Sequence, residues 1–234
     1  MKIAVIGKGN VGSHLFKAFK DKAEVALFDS RKPEEVPSDC QLIIICVKDD
    51  VIGEVAAKIT NHSAVIVHTS GSVPMEILRP YAKNYGVLYP LQTFTRDIPL
   101  NYSEIPVFIE ASDEETMQIL NDATSLFTDN VKICNSERRK GLHLASVFAC
   151  NFTNALVRIS CDILGEYGFH QEDITPLIRQ TIKKLNDISP AEAQTGPAKR
   201  NDIKVMATHK DMLKNQPELA KIYELLSEYI ARNK

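Results

Sequence analysis

The sequence predicts an α/β protein: an N-terminal doubly wound sheet followed by an all-helical part. Three observations predict it. Short β-branched runs alternate with helically spaced apolar residues up to about residue 135. A glycine-rich turn joins the first of those runs to the first helix, and after Asn135 the strand-like runs stop. The composition suits a folded chain, because among 234 residues 44% are hydrophobic and 25% charged. Lys+Arg numbers 28 against Asp+Glu 30, a net charge of −2 that gives no footprint for nucleic acid or an anionic membrane.

Lys2–Ile6 reads as a strand and Val11–Lys20 as a helix, with Val11, Leu15, Phe16 and Phe19 on its apolar face. Glu24–Phe28 and Gln41–Val47 are further strands, the latter nearly all apolar, as in a parallel sheet covered on both faces. Val51–Ile59 is helical, with Asp49 or Asp50 placed to cap it. Strand Ala64–His68, helix Pro74–Ala82 and strands Gly86–Tyr89 and Pro106–Glu110 follow, then helix Asp113–Phe127 and strand Val131–Cys134. Repeated β-α-β units imply right-handed crossovers. Beyond them one helix runs from Ser136 to about Tyr167, closed by Gly165 and Gly168 and roughly 45 Å long. Helices at Glu172–Asp187, Ile203–Asn215 and Pro217–Arg232 complete the chain. The expected domains are residues 1–135, binding dinucleotide, and 136–234, for substrate and dimerisation.

The longest unbroken apolar runs, such as Leu42–Val47, fall short of a membrane span, and the start of the chain has no signal-peptide pattern. The five cysteines are scattered, with no C-x-x-C pair, and the six histidines form no H-x-x-x-H pair. The expectation is a cytoplasmic protein without a metal site.

Gly7-Lys8-Gly9-Asn10-Val11-Gly12 matches G-x-G-x-x-G between a strand and a helix, with a second strand ending at Asp29. The first glycine makes the turn, the second admits a pyrophosphate to the backbone, and the third lets helix pack on strand. Free N–H groups and the helix dipole then hold the phosphates. Asp29 could accept from a ribose 2′-OH, which argues for NAD, whereas Ser30 and Arg31 suit a 2′-phosphate and argue for NADP. Both stand at this stage, with a lean to NADP.

His68-Thr69-Ser70-Gly71-Ser72 ends the fourth strand where ligands gather in open α/β sheets, so Ser70 and Ser72 are candidates to face a reacting ring or a substrate. Ser72 could equally cap the helix entered at Pro74. Tyr89 and Gln92 end the fifth strand in the same way. On the long helix, Lys140, His143, Val147, Asn151 and Asn154 fall within an arc of about 80° on an otherwise apolar surface. Such a helix should be buried, its polar stripe either satisfied in the core or lining a cleft. In the cleft reading His143 is the general acid/base. Arg200, in the turn Gln194–Asp202, could anchor a substrate carboxylate, although Gly196-Pro197 and a capping Asp202 also make an ordinary turn.

The stretches GKGNVG, VKDDVI, HTSGS, PLQTF, ERRKGLHLASVFACNF and TGPAKRND together resemble the Rossmann-like NADP oxidoreductases that carry a C-terminal helical domain of unknown function. These look like distant relatives of pyrroline-5-carboxylate reductase, ketopantoate reductase and the β-hydroxyacid dehydrogenases. The resemblance implies a helical domain like the C-terminal one of 6-phosphogluconate dehydrogenase, and a homodimer with each active site between the two domains. It also implies Val47 and Lys48, after strand three, beside the cofactor, and roles for Asn151 and Asn154 towards the substrate.

Three departures stand out. His143 occupies the place of a lysine that relatives carry on the long helix, with Asn151 at the place of their asparagine. Tyr89 stands where most of the family looks to have histidine before proline, and the helix between strands two and three is missing. The resulting expectation is an NAD(P)-dependent oxidoreductase acting on a small C=O or C=N substrate, with Ser70, His143 and Asn151 at the chemistry. The competing reading is a dinucleotide-sensing or scaffold dimer without catalysis. A deazaflavin-linked variant rests on resemblance alone.

Overall fold

The computed structural model describes residues 1–233. Strands β1 (Lys2–Ile6), β2 (Glu24–Phe28), β3 (Leu42–Ile45), β4 (Val65–His68), β5 (Tyr85–Pro90), β6 (Val107–Ala111) and β7 (Val131–Ile133) form one sheet. Its order is β2-β1-β3-β4-β5-β6-β7. Neighbours pair parallel except β5 with β6, which run antiparallel. The order reverses at β1, whose neighbours β2 and β3 leave a crevice beyond their carboxyl ends, the usual place for a ligand in this architecture.

The apolar runs of β1, β3 and β4 are buried because both faces of the sheet are covered. Ile3, Val5, Leu42, Ile44, Val65 and Val67 pack on one side with Phe19 of helix α1 (Asn10–Phe19) and Leu120 of helix α3 (Glu114–Ser125). Ala4, Ile6, Ile43, Ile45 and Ile66 alternate onto the other, with Ile52 of the short helix α2 (Ile52–Ala56) and Leu78.

Several local expectations change. Pro74–Ala82 is not a helix; only a 3-10 turn forms at Met75–Leu78. Pro80 is the reason, since it supplies no N–H and its ring collides with the carbonyl one turn back. Neither Asp49 nor Asp50 caps α2, because a 3-10 turn, Asp49–Val51, precedes it and Val51 is the cap residue. No α-helix links β5 to β6, only a 3-10 turn at Tyr102–Glu104, and that connection returns antiparallel instead of crossing over. Asp113 and Asp202 do cap their helices, each accepting from a backbone N–H three residues on.

The long helix α4, Ser136–Glu166, starts under an Asn135 cap and ends at Gly168, whose φ is +75°. A π-helical turn, Val147–Phe152, interrupts it. The helix was expected to be buried, yet Leu144, Phe148, Phe152 and Leu156 are exposed in the single chain. These four recur every fourth residue and so form an apolar stripe with no cover in one copy. By length and composition α4 also meets the test for a membrane span, with a mean hydropathy of 1.3 over its most apolar stretch. Counting only unbroken apolar runs overlooks this. The chain divides into two compact units, Met1–Ala155 and Leu156–Lys234. The second unit holds helices at Gln171–Lys184, Ile203–Met212 and Pro217–Arg232 and short helical turns at Pro190–Ala193 and Pro197–Arg200.

Candidate functional site

Each glycine of the first loop has a distinct geometric cause. Gly7 sits at φ +113°, and a Cβ there would lie 2.2 Å from the Cys46 carbonyl oxygen. A Cβ on Gly12 would lie 1.9 Å from the Gly7 oxygen, so strand and helix meet only because both positions lack side chains. Gly9, the cap residue of α1, has nothing within 4 Å of its would-be Cβ. That open position, at the positive end of a helix whose first turn carries no acid, fits a dinucleotide pyrophosphate. Lys8 and Asn10 are exposed on the loop.

At the end of β2 the Asp29 carboxylate is chelated by Arg31, whose Nε and Nη2 donate at 3.0 and 2.6 Å. Hydrogen bonds from the guanidinium and from the Arg31 backbone hold Asp29 well below the usual carboxylate range. Ser30 is half-buried between them. A 2′-hydroxyl would compete for Asp29, whereas a 2′-phosphate would take Arg31 from it. Beyond β3, Val47 is half-buried and Lys48 exposed.

The turn after β4 is built by buried polar groups. The Ser70 hydroxyl accepts from the Ser72 and Val73 N–H groups, both at 3.0 Å, and the Ser70 N–H donates to His68 Nδ1 at 3.1 Å. Burial, with the Arg139 cation nearby, lowers the His68 pKa to about 4, so its ring is neutral there. Ser72 is exposed and caps nothing.

Arg139, fully buried on α4, donates to the carbonyls of Ser70 (3.2 Å) and Val73 (2.6 Å) and pairs with Glu110 of β6. Glu110 also accepts from the N–H and hydroxyl of Ser136. The pair therefore clamps the first turn of α4 to the sheet and to the Ser70 turn. Sequence reading missed both residues.

That clamp sets His143. Its imidazole lies over Gly71, where a Cβ would come 2.6 Å from ring atoms. Its Nδ1 is 3.0 Å from the Tyr89 hydroxyl. Burial raises the Tyr89 pKa, so the phenol keeps its proton at neutral pH, and either the hydroxyl or an Nδ1–H can be the donor of this contact.

Both ends of the arrangement open onto one cavity of about 550 Å³ within the first unit. Asn10 and Val11 line it from the glycine loop, Tyr89 and Gln92 from the end of β5, and His143 and Asn151 from α4. Six residues singled out in the sequence thus meet. The helix face differs from the expected stripe: Ser146 and Cys150 join the lining, Lys140 is exposed, and Asn154 is exposed and lines nothing there. Ser146 and Cys150 lie beside His143 on a regular helix too, whereas the π-helical turn between Val147 and Phe152 shifts the register after it and so moves Asn154 away. Arg200 is exposed in the second unit, on the turn Pro197–Arg200. Among the described residues no cluster of three His, Cys, Asp or Glu could hold a metal ion.

The profile of the family described as "Domain of unknown function (DUF2520)" matches residues 105–230. No curated protein matches the chain. Among solved structures, the "putative NADP oxidoreductase" of Bacteroides fragilis is 34% identical, with a TM-score of 0.90. The alignment covers 99% of this chain and 98% of that one. A Thermotoga maritima protein is 20% identical at TM-score 0.74, covering 99% and 97% of the two chains. A reductive aminase from Aspergillus terreus, solved with NADPH and ethyl levulinate, is 11% identical at TM-score 0.73, covering 99% and 92%. At these lower identities the likeness shows the shared fold.

Proposed function

This chain belongs to the DUF2520 family, and from that premise we propose that it is an NADP- or NAD-dependent oxidoreductase acting on a small C=O or C=N substrate. One observation carries the reading: the glycine loop and the Tyr89–His143 pair line the same cavity. A nicotinamide dinucleotide, when bound, supplies or accepts the hydride. The protein's own part is to bind, orient and move a proton. The backbone at Gly9 and the amino terminus of α1 hold the diphosphate, with Lys8 and Asn10 beside it and Val47 and Lys48 flanking the cofactor. Asp29, Ser30 and Arg31 meet the adenosine ribose, and Arg31 favours NADP.

His143, hydrogen-bonded to the Tyr89 hydroxyl, gives a proton as imidazolium to the carbonyl oxygen or imine nitrogen and is left neutral, or takes the proton up in the reverse direction. Asn151 and Gln92 orient the substrate. Ser70 acts by holding the turn under Gly71 that seats the imidazole. The exposed apolar stripe of α4 fits a homodimer, and the five unpaired thiols fit the reducing cytoplasm.

The test follows absorbance of the reduced nicotinamide over a panel of keto acids, aldehydes and imines. Turnover is expected on at least one, and His143→Ala should lower it on the order of 10²–10⁴-fold. Tight dinucleotide binding without turnover on any member would favour the non-catalytic reading.

A further inference from the structure

The connection from β5 to β6 passes over α1 and is fastened there. The buried His14 ring donates from Nε2 to the Thr95 carbonyl at 2.8 Å and accepts at Nδ1 from the Tyr102 hydroxyl at 3.0 Å. Lys17 Nζ donates to the Arg96 carbonyl at 2.7 Å. The Arg96 N–H donates to Asn10 Oδ1 at 3.3 Å, and its guanidinium donates to the Lys8 carbonyl. Two residues of the glycine loop are therefore contacted by Arg96. That single guanidinium contact uses Nη2, and its other N–H groups have no partner among the described residues.

We propose that Arg96 is a pyrophosphate-binding residue, held at the mouth of the glycine loop by the His14 and Lys17 contacts. The inference rests on the dinucleotide reading above and adds a second cation to Lys8 of the loop. A diphosphate brings two negative charges against backbone N–H groups and a helix terminus worth roughly half an elementary charge. A guanidinium beside Lys8 and Asn10 offers a second full charge to go with the Lys8 ammonium, and planar donors for phosphate oxygens. These contacts fix the main chain at Arg96, so a ligand needs to order only the exposed side chain and not the loop.

The experiment titrates wild type, Arg96→Ala, Arg96→Gln and Arg96→Lys with NADPH and with NADH, by nicotinamide fluorescence at several salt concentrations. Arg96→Ala and Arg96→Gln should weaken both ligands roughly 10–100-fold. Arg96→Lys should recover part of the loss, and the salt dependence of binding should be shallower in the two neutral variants. Affinity unchanged or tightened in both neutral variants would overturn the assignment. A loss confined to NADPH would overturn it as well, by placing Arg96 at the 2′-phosphate. Gln as good as Arg would show that charge is not the agent. If wild type binds neither dinucleotide, the oxidoreductase reading itself fails; if wild type binds and the neutral variants match it, only this inference fails.

Discussion

The two units of the chain differ in how they bury apolar surface. Apart from Ala198, every buried hydrophobic residue among those described lies in the first unit. The second unit leaves Leu177 and Tyr229 each 68% exposed, along with Ile203 and Leu225. The sheet unit encloses a core of its own and exposes a large apolar patch on α4, whereas the helical unit leaves most of its large apolar side chains exposed. Under the proposed function a second copy of the chain covers these surfaces.

The largest effect that sharpens this contrast concerns the buried clamp. Arg139→Ala would leave the Glu110 carboxylate without its cation and should cost about 3–5 kcal/mol, read from urea unfolding. A loss below about 1 kcal/mol would mean the sheet unit does not depend on the pair. Next is pH. His68 binds a proton more weakly folded (about 4) than at its ordinary value of 6.5. Between these values the unfolded chain takes up a proton that the native chain refuses, so stability falls with pH from 6.5 towards 4 and then levels for this group. The loss should be about 3 kcal/mol, and His68→Gln should flatten that part of the curve.

A change on the helical unit should act differently. Leu225→Glu should weaken dimerisation about 10–100-fold in sedimentation, on the burial value of a leucine side chain, while barely moving the sheet's unfolding. A wild type that sediments as a monomer at high concentration would break the contrast. Smallest is Arg31→Ala, which should weaken NADPH roughly tenfold and leave NADH near wild type. An equal effect on both would remove Arg31 from the choice of cofactor.

The parts of the molecule legible in the sequence are those fixed by local covalent geometry. Gly7 and Gly12 announce themselves because no other residue could stand there. The ends of α4 are readable for the same reason, at the Asn135 cap and at Gly168. Its interior is not. One π-helical turn, Val147–Phe152, lies between His143 and Asn154 and carries Asn154 off the cavity face that a regular helix would give it. Arg139 lay hidden in the run Glu137-Arg138-Arg139-Lys140, which reads as a solvated face until Glu110 is known to stand opposite. Arg96 was hidden likewise, because its place is set by hydrogen bonds across 86 residues of chain.

Thermal unfolding in the presence of NAD⁺, NADH, NADP⁺ and NADPH in turn bears most directly on the claim that the glycine loop serves a redox dinucleotide. A ligand present at about 100 times its dissociation constant adds about 2.7 kcal/mol, which at this chain length should raise Tm by roughly 5–10 °C. The account predicts such a rise with at least one dinucleotide, largest with NADP⁺ or NADPH, and its absence in Gly12→Ala protein that remains folded. No rise with any of the four at millimolar ligand would contradict it.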